Sequence, residues 1–281
     1  MPYRNAHWAV LMLMPLILTA FWPGYFGQLR EAPLALHGHG LSASAWLLLL
    51  ALQLWSIHAR KMMLHRTAGL ALFVIVPVFA GASLAAIQGG FALFAVQSDP
   101  FHAAFAVRLG MVDLIALATF VGLVRYALVT RRSARTHASA MLATGLLVLP
   151  PILARLVPLL PNFADMAVAG AQGFVLAFHV GQGLAVLAAL GLYLADRKAR
   201  TFLVVAVSIG VQSVLFETVG ASTLWATLAT KTTAIPAGLL ALIGATLTTA
   251  VLYQGWTRIP PRRRSGATVP VRSPADRVPE P

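Results

Sequence analysis

Long apolar stretches alternate with short polar segments along almost the whole chain, and this pattern predicts the secondary structure. A helix that crosses a hydrocarbon core about 30 Å thick needs roughly 17–25 mostly apolar residues. Eight stretches of about this length occur, at residues 8–22, 41–57, 67–87, 103–129, 138–160, 166–195, 201–219 and 234–256. Pro77 in the third stretch and Pro150 and Pro151 in the fifth predict kinks. We therefore expect an all-α, polytopic transmembrane helix bundle with eight spans.

The composition favours the same class and excludes several others. Hydrophobic residues make up 59% of the chain and charged residues only 10%, whereas soluble proteins carry about 25% charged residues. So few charges cannot cover a surface that faces water, so the expected partner is the lipid bilayer, and nucleic acid is not expected despite the net charge of +13. Because the chain has no cysteine, disulfides, thiolate zinc sites, iron–sulfur clusters and covalently attached haem are excluded.

The placement of lysine and arginine predicts the orientation of the bundle. Of the 21 cationic residues, 17 fall at the N-terminus, in alternate connections and in the C-terminal segment. Cationic loops stay on the cytoplasmic side, so both termini are expected there. The first stretch lacks a cleavage site of small residues and is predicted to be an uncleaved span. Residues 257–281, which are basic and rich in proline, are predicted to form a disordered cytoplasmic tail.

Five polar side chains inside or at the ends of the spans are candidate functional residues: Arg108, Asp113, Arg155, His179 and Glu217. Such residues are costly in lipid and normally face the interior of a bundle. We expect Asp113 to pair with Arg155, and Arg108 to pair with Glu217 or with Asp165. The five would line a polar cavity that opens to the outside. The alternative is that they form structural ion pairs that fix the register of the helices.

The histidines suggest two further kinds of site. His37 and His39, in a predicted loop before the second span, form an H-x-H pair that could bind zinc or copper. His39 and His102 precede spans on the outer side, and His65 and His137 precede spans on the inner side. Haem b with two imidazole ligands needs a facing pair of this kind. The alternative is that the histidines at the membrane interface are solvated.

Residues 37–155 resemble a family of uncharacterised bacterial integral membrane proteins. The motifs that carry the resemblance are His37-Gly-His39, Trp46-Leu-Leu-Leu-Leu, Gln53, Leu64-His65-Arg66, Gly69, Asp113, His137, Met141, Ala143, Pro150-Pro151 and Arg155. The resemblance implies a membrane bundle, located in the bacterial inner membrane, and implies no known reaction. The alternation of the histidines is also distantly similar to that in di-haem transmembrane cytochromes b, which would imply haem b and a redox partner.

These observations leave several functional hypotheses open. The first is a permease or another bundle that binds a small molecule in an outward-facing cavity lined by the five polar residues. The second is a haem b protein that transfers electrons through His39, His65, His102 and His137. The third is an intramembrane metal hydrolase in which His179, Asp113 and an outer histidine bind zinc and Glu217 acts as the base. A structural or accessory subunit is the fourth.

Overall fold

The computed structural model describes residues 3–259, and in this part of the chain every regular element is a helix. The α-helices are α1 (Ala6–Ala20), α2 (Leu34–His58), α3 (Met62–Gly69), α4 (Leu72–Ala95), α5 (Pro100–Val129), α6 (Ala134–Leu146), α7 (Leu149–Leu156), α8 (Ala164–Val168), α9 (Gly170–Ala195), α10 (Arg200–Glu217), α11 (Thr223–Thr232) and α12 (Ala237–Thr257). Short 3-10 turns cover Phe26–Gln28, Val157–Leu159 and Pro161–Phe163. The predicted tail begins where α12 ends, and its residues 260–281 lie outside the described residues.

Within residues 3–259, seven helical segments are long and apolar enough to cross a membrane, counting α3 with α4 and α6 with α7 as continuous spans. The expectation of an all-helical, multi-pass membrane protein is therefore confirmed. The seven segments correspond to the second through eighth predicted spans. The first predicted span forms α1, whose 15 residues extend about 22 Å and fall short of the usual hydrocarbon thickness.

Two predicted loops contain helix instead. α2 begins at Leu34, directly after Pro33, so His37 and His39 lie on a helix and not in a loop. Proline is suited to a position just before or at the start of a helix, because its fixed φ is helical and it has no N–H to leave unpaired. α11 occupies the predicted connection before the last span, and the Ser222 hydroxyl caps it by accepting the Trp225 N–H.

Two breaks interrupt spans, and a third separates α11 from the last span. The break between α6 and α7 lies just before Pro150 and Pro151, where a kink was predicted. Pro77 lies inside α4, and the break in that span comes earlier, at Leu70–Ala71. The third break separates α11 from α12, where the Gln88 side chain donates to the carbonyl oxygens of Thr232 and Ile235. A polar side chain thus supplies hydrogen bonds that the broken helix does not.

Helix α4 is central and packs against α2, α5 and α12, while α10 packs between α5 and α9. We call the end that holds the turns after α2, α5 and α9 the basic end, and the opposite end the distal end. Tyr3 bonds to Asp196 after α9, and Arg131 after α5 lies over the Trp256 ring in α12. Both ends of the described chain therefore lie at the basic end.

Candidate binding cleft

A cleft of about 790 Å³ opens at the distal end, between the first turns of α5 and α9 and the segment that joins α10 to α11. Its walls are largely apolar, with a few polar groups among them. The apolar lining residues include Phe94, Phe105, Val107, Val175 and Leu176, and the polar ones are Arg108, Gln172, His179, Ser222 and Thr223. Concave, mostly apolar sites with a few placed polar groups are typical of small-molecule binding.

Arg108, His179 and Glu217 form one connected cluster at this cleft. Nη1 of Arg108 lies 3.5 Å from Oε2 of Glu217, and Nε2 of His179 donates to Oε1 of the same carboxylate at 2.7 Å. The side chains of Arg108, His179 and Glu217 are 30%, 35% and 42% exposed, respectively. A ligand can therefore reach all three. Arg108 thus has Glu217 as its partner, one of the two that the sequence offered, and not Asp165.

The local backbone positions this cluster. The N-terminus of α5 is capped by Asp99, whose carboxylate accepts hydrogen bonds from the backbone N–H groups of Phe101 and His102. The hydrogen bonds from His102 contribute most to lowering the pKa of Asp99 to about 2. After α10, the chain turns back at Gly220. A Cβ there would lie 3.2 Å from Cα of Arg108 and 2.9 Å from the carbonyl oxygen of Leu215. Only glycine fits the turn that passes Arg108.

A layer of aromatic rings lies beside the cluster. Phe178 and Phe216 stack with their centroids 4.2 Å apart, and Phe105 packs 4.5 Å from Phe174. The Arg108 guanidinium lies over the Phe216 ring at 5.6 Å. These rings hold the backbone of α5, α9 and α10 in place while leaving the charged groups at the cleft.

Asp113 lies deeper on α5, about 7 Å along the axis from Arg108. Asp113 is exposed. The residues of α5 that face outward, Ala118, Gly122 and Tyr126, lie roughly 140–180° away from it around the helix. Its open surface therefore faces the interior of the bundle. Arg155 is also exposed and interacts electrostatically with Asp113. The two form no direct ion pair.

Arg155 is held by other contacts. Its Nη1 donates to the carbonyl oxygen of Pro151 at 2.9 Å, and its guanidinium lies 4.3 Å from the centroid of the Phe21 ring. The first contact turns the side chain back along α7, away from the distal end. Asp113 and Arg155 therefore do not form the expected ion pair; both are exposed, and they interact electrostatically without direct contact.

Sequence reasoning missed a set of uncharged polar residues inside the spans. Thr119 and Ser208 are hydrogen-bonded at 2.7 Å, and Gln212 donates to Ser208 at 3.2 Å. Gln182, three residues after His179 on α9, is 2% exposed, and neither its amide nitrogen nor its amide oxygen has a partner. A glutamine inside an apolar span is itself costly, and that signal was available in the sequence.

The structure does not bring the outer histidines together. His37 contacts the Tyr25 hydroxyl and His39 contacts the Ser83 hydroxyl, each through Nδ1 at 2.9 Å. Two positions apart on a helix, the two rings point about 160° away from each other, so they do not form a shared metal site. His102 bonds to Asp99 at the first turn of α5, on the order of 20 Å along the axis from the level of His39.

The inner histidines behave differently. His65 and His137 interact electrostatically at the basic end. His137 donates from Nδ1 to the carbonyl oxygen of Ala127 at 2.9 Å. Nδ1 of His65 is buried without a partner.

Among residues 3–259, no group of three or more His, Asp or Glu side chains could hold a metal ion. The zinc site expected from His179, Asp113 and an outer histidine therefore does not assemble, because His179 pairs with Glu217 and the outer histidines have other partners. The chain matches no family model, no curated protein and no solved structure.

Proposed function

We propose that this chain is a bacterial inner-membrane protein that binds a small molecule in an outward-facing cleft, in the manner of a permease. The observation that carries the proposal is the cleft at the distal end, where Arg108, His179 and Glu217 meet within apolar walls. Charged groups inside apolar spans are costly in lipid, and they commonly mark binding sites or transport paths.

The interior beneath the cleft supports a transport route that is closed at the basic end. Asp113 and Arg155 present open surfaces below the cleft. Toward the basic end, α10 presents Phe202, Val205 and Ile209, each with 0% exposure, to the largest apolar core cluster. An open polar half above a packed apolar half is the arrangement of an outward-open binding protein. The breaks at 70–71, 147–148 and 233–236 are points where segments could move relative to one another.

The orientation of the protein in the membrane is part of the proposal. We place both termini in the cytoplasm and count α1 as an eighth crossing, because Tyr3 contacts Asp196 at the basic end while Phe21, just after α1, contacts Arg155 nearer the distal end. Seventeen of the 21 lysine and arginine residues would then lie on the cytoplasmic side.

Single cysteines test this orientation and the opening of the cleft, because the chain contains no cysteine of its own. We expect Ser98→Cys and the cleft variant Ala104→Cys to react with a membrane-impermeant thiol reagent in intact cells. Ala59→Cys, exposed at the basic end, should react only in inverted vesicles. Labelling of Ala59→Cys in intact cells would reverse the orientation, and labelling at Ser98→Cys without Ala104→Cys would mean that the cleft is closed.

A second candidate function is electron transfer through haem b at the basic end. It rests on the electrostatic interaction between His65 and His137 and on the hydrogen bond from Nδ1 of His137 to the carbonyl oxygen of Ala127. A carbonyl that fixes Nδ1 leaves Nε2 free to bind a metal. Absorption spectra of the purified protein, oxidised and reduced, test it: haem bands that His65→Ala and His137→Ala abolish are expected if this function applies.

A further inference from the structure

The charge of the cleft lining indicates the chemical class of its ligand. Among the described residues, the cleft lining includes the guanidinium of Arg108, while Glu217 lies behind it as the partner of Arg108 and His179 and is 42% exposed. The Arg108 guanidinium has five N–H donors, yet within the described chain its one acceptor is Oε2 of Glu217 at 3.5 Å, which is the long limit of a hydrogen bond. Arg108 therefore has donors to offer to a ligand.

Glu217 does not depend on Arg108 for a partner. Its other oxygen accepts a short bond, 2.7 Å, from His179. A ligand carboxylate that took Arg108 would leave Glu217 bonded to His179, so the Glu217 carboxylate would keep a hydrogen-bond donor. The planar fork of Arg108 suits a carboxylate, which can accept two parallel N–H bonds.

The walls favour an apolar group attached to that anion. Phe94, Phe105, Val175 and Leu176 surround the charged cluster. The first turn of α9, which contributes Gln172 to the lining, has no side-chain cap and no acidic residue, so its free N–H groups add positive potential. A volume of about 790 Å³ lies within the range of sites for small organic ligands.

We propose that the cleft selects small organic anions, with a carboxylate on Arg108 and an apolar body against the phenyl and aliphatic walls. This substrate class rests on the proposed function, because it assumes that the cleft is a binding site open to the outside.

Three probes with one apolar body and different head groups test the selection: 4-phenylbutyrate, 4-phenylbutylammonium and 4-phenylbutanol. We would titrate each into the full chain in lipid nanodiscs by calorimetry and subtract the signal from empty nanodiscs. Saturable binding of phenylbutyrate near one per chain is expected, with the ammonium probe at least tenfold weaker.

Arg108→Gln should weaken phenylbutyrate binding about 10- to 100-fold, the range of a hydrogen-bonded charge, and Arg108→Lys should recover little of it. Arg125→Gln is the matched control. Arg125 lies on the same helix near the basic end, where it donates to Gln254, and its substitution should leave binding unchanged. A melting curve for each variant separates lost binding from lost fold.

Three outcomes would overturn the inference. The ammonium probe binding more tightly than phenylbutyrate would reverse the charge preference, equal losses in Arg108→Gln and Arg125→Gln would remove Arg108 as the anchor, and signals no larger than in empty nanodiscs would mean lipid partitioning alone. If Ala104→Cys is nevertheless labelled from outside, the outward-facing cleft stands and the organic-anion assignment alone fails. If Ala104→Cys is unlabelled, the proposed function fails with it.

Discussion

The distal and basic halves of the bundle both contain charged side chains, but they use them differently. At the basic end, Arg125 bonds to Gln254, and Arg131 lies 4.4 Å from the centre of the Trp256 ring. At the distal end, Arg108 contacts Glu217 and the Phe216 ring and still lines the cleft, and Asp113 is exposed without an ion pair. Polarity alone therefore does not mark a binding site. The distal groups are available because the apolar packing between the helices stops beside them.

Helix α10 shows where that packing stops. Its half toward the basic end contributes fully buried Phe202, Val205 and Ile209 to the largest core cluster, whereas its distal half contributes Phe216 to a smaller cluster and ends in the partly exposed Glu217. The basic half is a close-packed core that resists volume change, and the distal half tolerates open space. Substitutions in the two halves should differ in cost for this reason.

The largest difference is expected for a phenylalanine removed from each half. Phe202→Ala should lower the free energy of unfolding by about 3–5 kcal/mol, because it leaves a cavity in a packed core. Phe94→Ala, in the partly exposed cleft wall, should cost about 1 kcal/mol or less. Titration with SDS in mixed micelles, followed by circular dichroism, measures both. Equal costs would mean that the two halves are packed alike.

A smaller effect is expected where α7 meets α9. A Cβ at Gly181 would lie 2.7 Å from the backbone nitrogen of Ala154 and 2.9 Å from the carbonyl oxygen of Pro150, whereas Gly183 has nothing within 4 Å. Gly181→Ala should therefore cost about 1–3 kcal/mol by overpacking, and Gly183→Ala should be neutral or slightly stabilising.

The same SDS titration tests this pair of alanine variants. Because α7 carries Arg155, Gly181→Ala should also change thiol labelling at Ala104→Cys more than Gly183→Ala does. A neutral Gly181→Ala would show that α7 moves freely against α9.

The sequence could predict the helical class because hydropathy is a property of single segments. It could also propose the pair of Arg108 and Glu217, since isolated charges in apolar spans require partners. It could not predict α11, because ten residues rich in threonine form a helix there only with the Ser222 cap and the bond from the Trp225 indole to the Val107 carbonyl.

The position of Arg155 was beyond sequence reasoning for a related reason. Opposite charge pointed to Asp113, but the side chain contacts the Phe21 ring and its own helix backbone. Contacts between residues far apart in the chain depend on how helices pack, and the hydropathy pattern of a sequence does not specify that packing. The sequence shows that Gln182 lies in an apolar span, but whether its amide finds a partner depends on the same packing.

A third expected effect concerns the free energy of unfolding contributed by the contact between Tyr3, near the N-terminus, and Asp196 at the basic end. The Tyr3 hydroxyl donates to Asp196 at 3.1 Å, and Asp196 also lies 3.7 Å from Arg135. Tyr3→Phe should cost about 1 kcal/mol, the usual net value of one hydrogen bond. Tyr253→Phe, at a residue 65% exposed, is the matched control and should cost little.

The Tyr3 contact also predicts a dependence on pH. Burial, followed by the hydrogen bond to Asp196, raises the pKa of Tyr3 to about 12. A raised pKa means that the neutral phenol is favoured in the folded state, so its contribution to stability is complete below pH 10 and is lost as the pH rises to 12. Stability of the unmodified protein should fall across this range more than that of Tyr3→Phe. Parallel curves for the two proteins would contradict the contact.

The smallest effect, and the sharpest test of an open distal half, is the coupling between Asp113 and Arg155. A buried pair in direct contact would lose about 3–5 kcal/mol when one partner is removed. Here both side chains are exposed and form no direct ion pair, so we expect a coupling energy of only about 0.5 kcal/mol, as for solvent-exposed pairs. A double-mutant cycle of Asp113→Asn and Arg155→Gln, each measured by SDS unfolding, gives this energy directly. The coupling should shrink further in high salt, because water and ions reach both charges. A coupling above about 2 kcal/mol that does not change with salt concentration would mean that water does not reach the two charges. The contrast between the two halves of the bundle would then disappear.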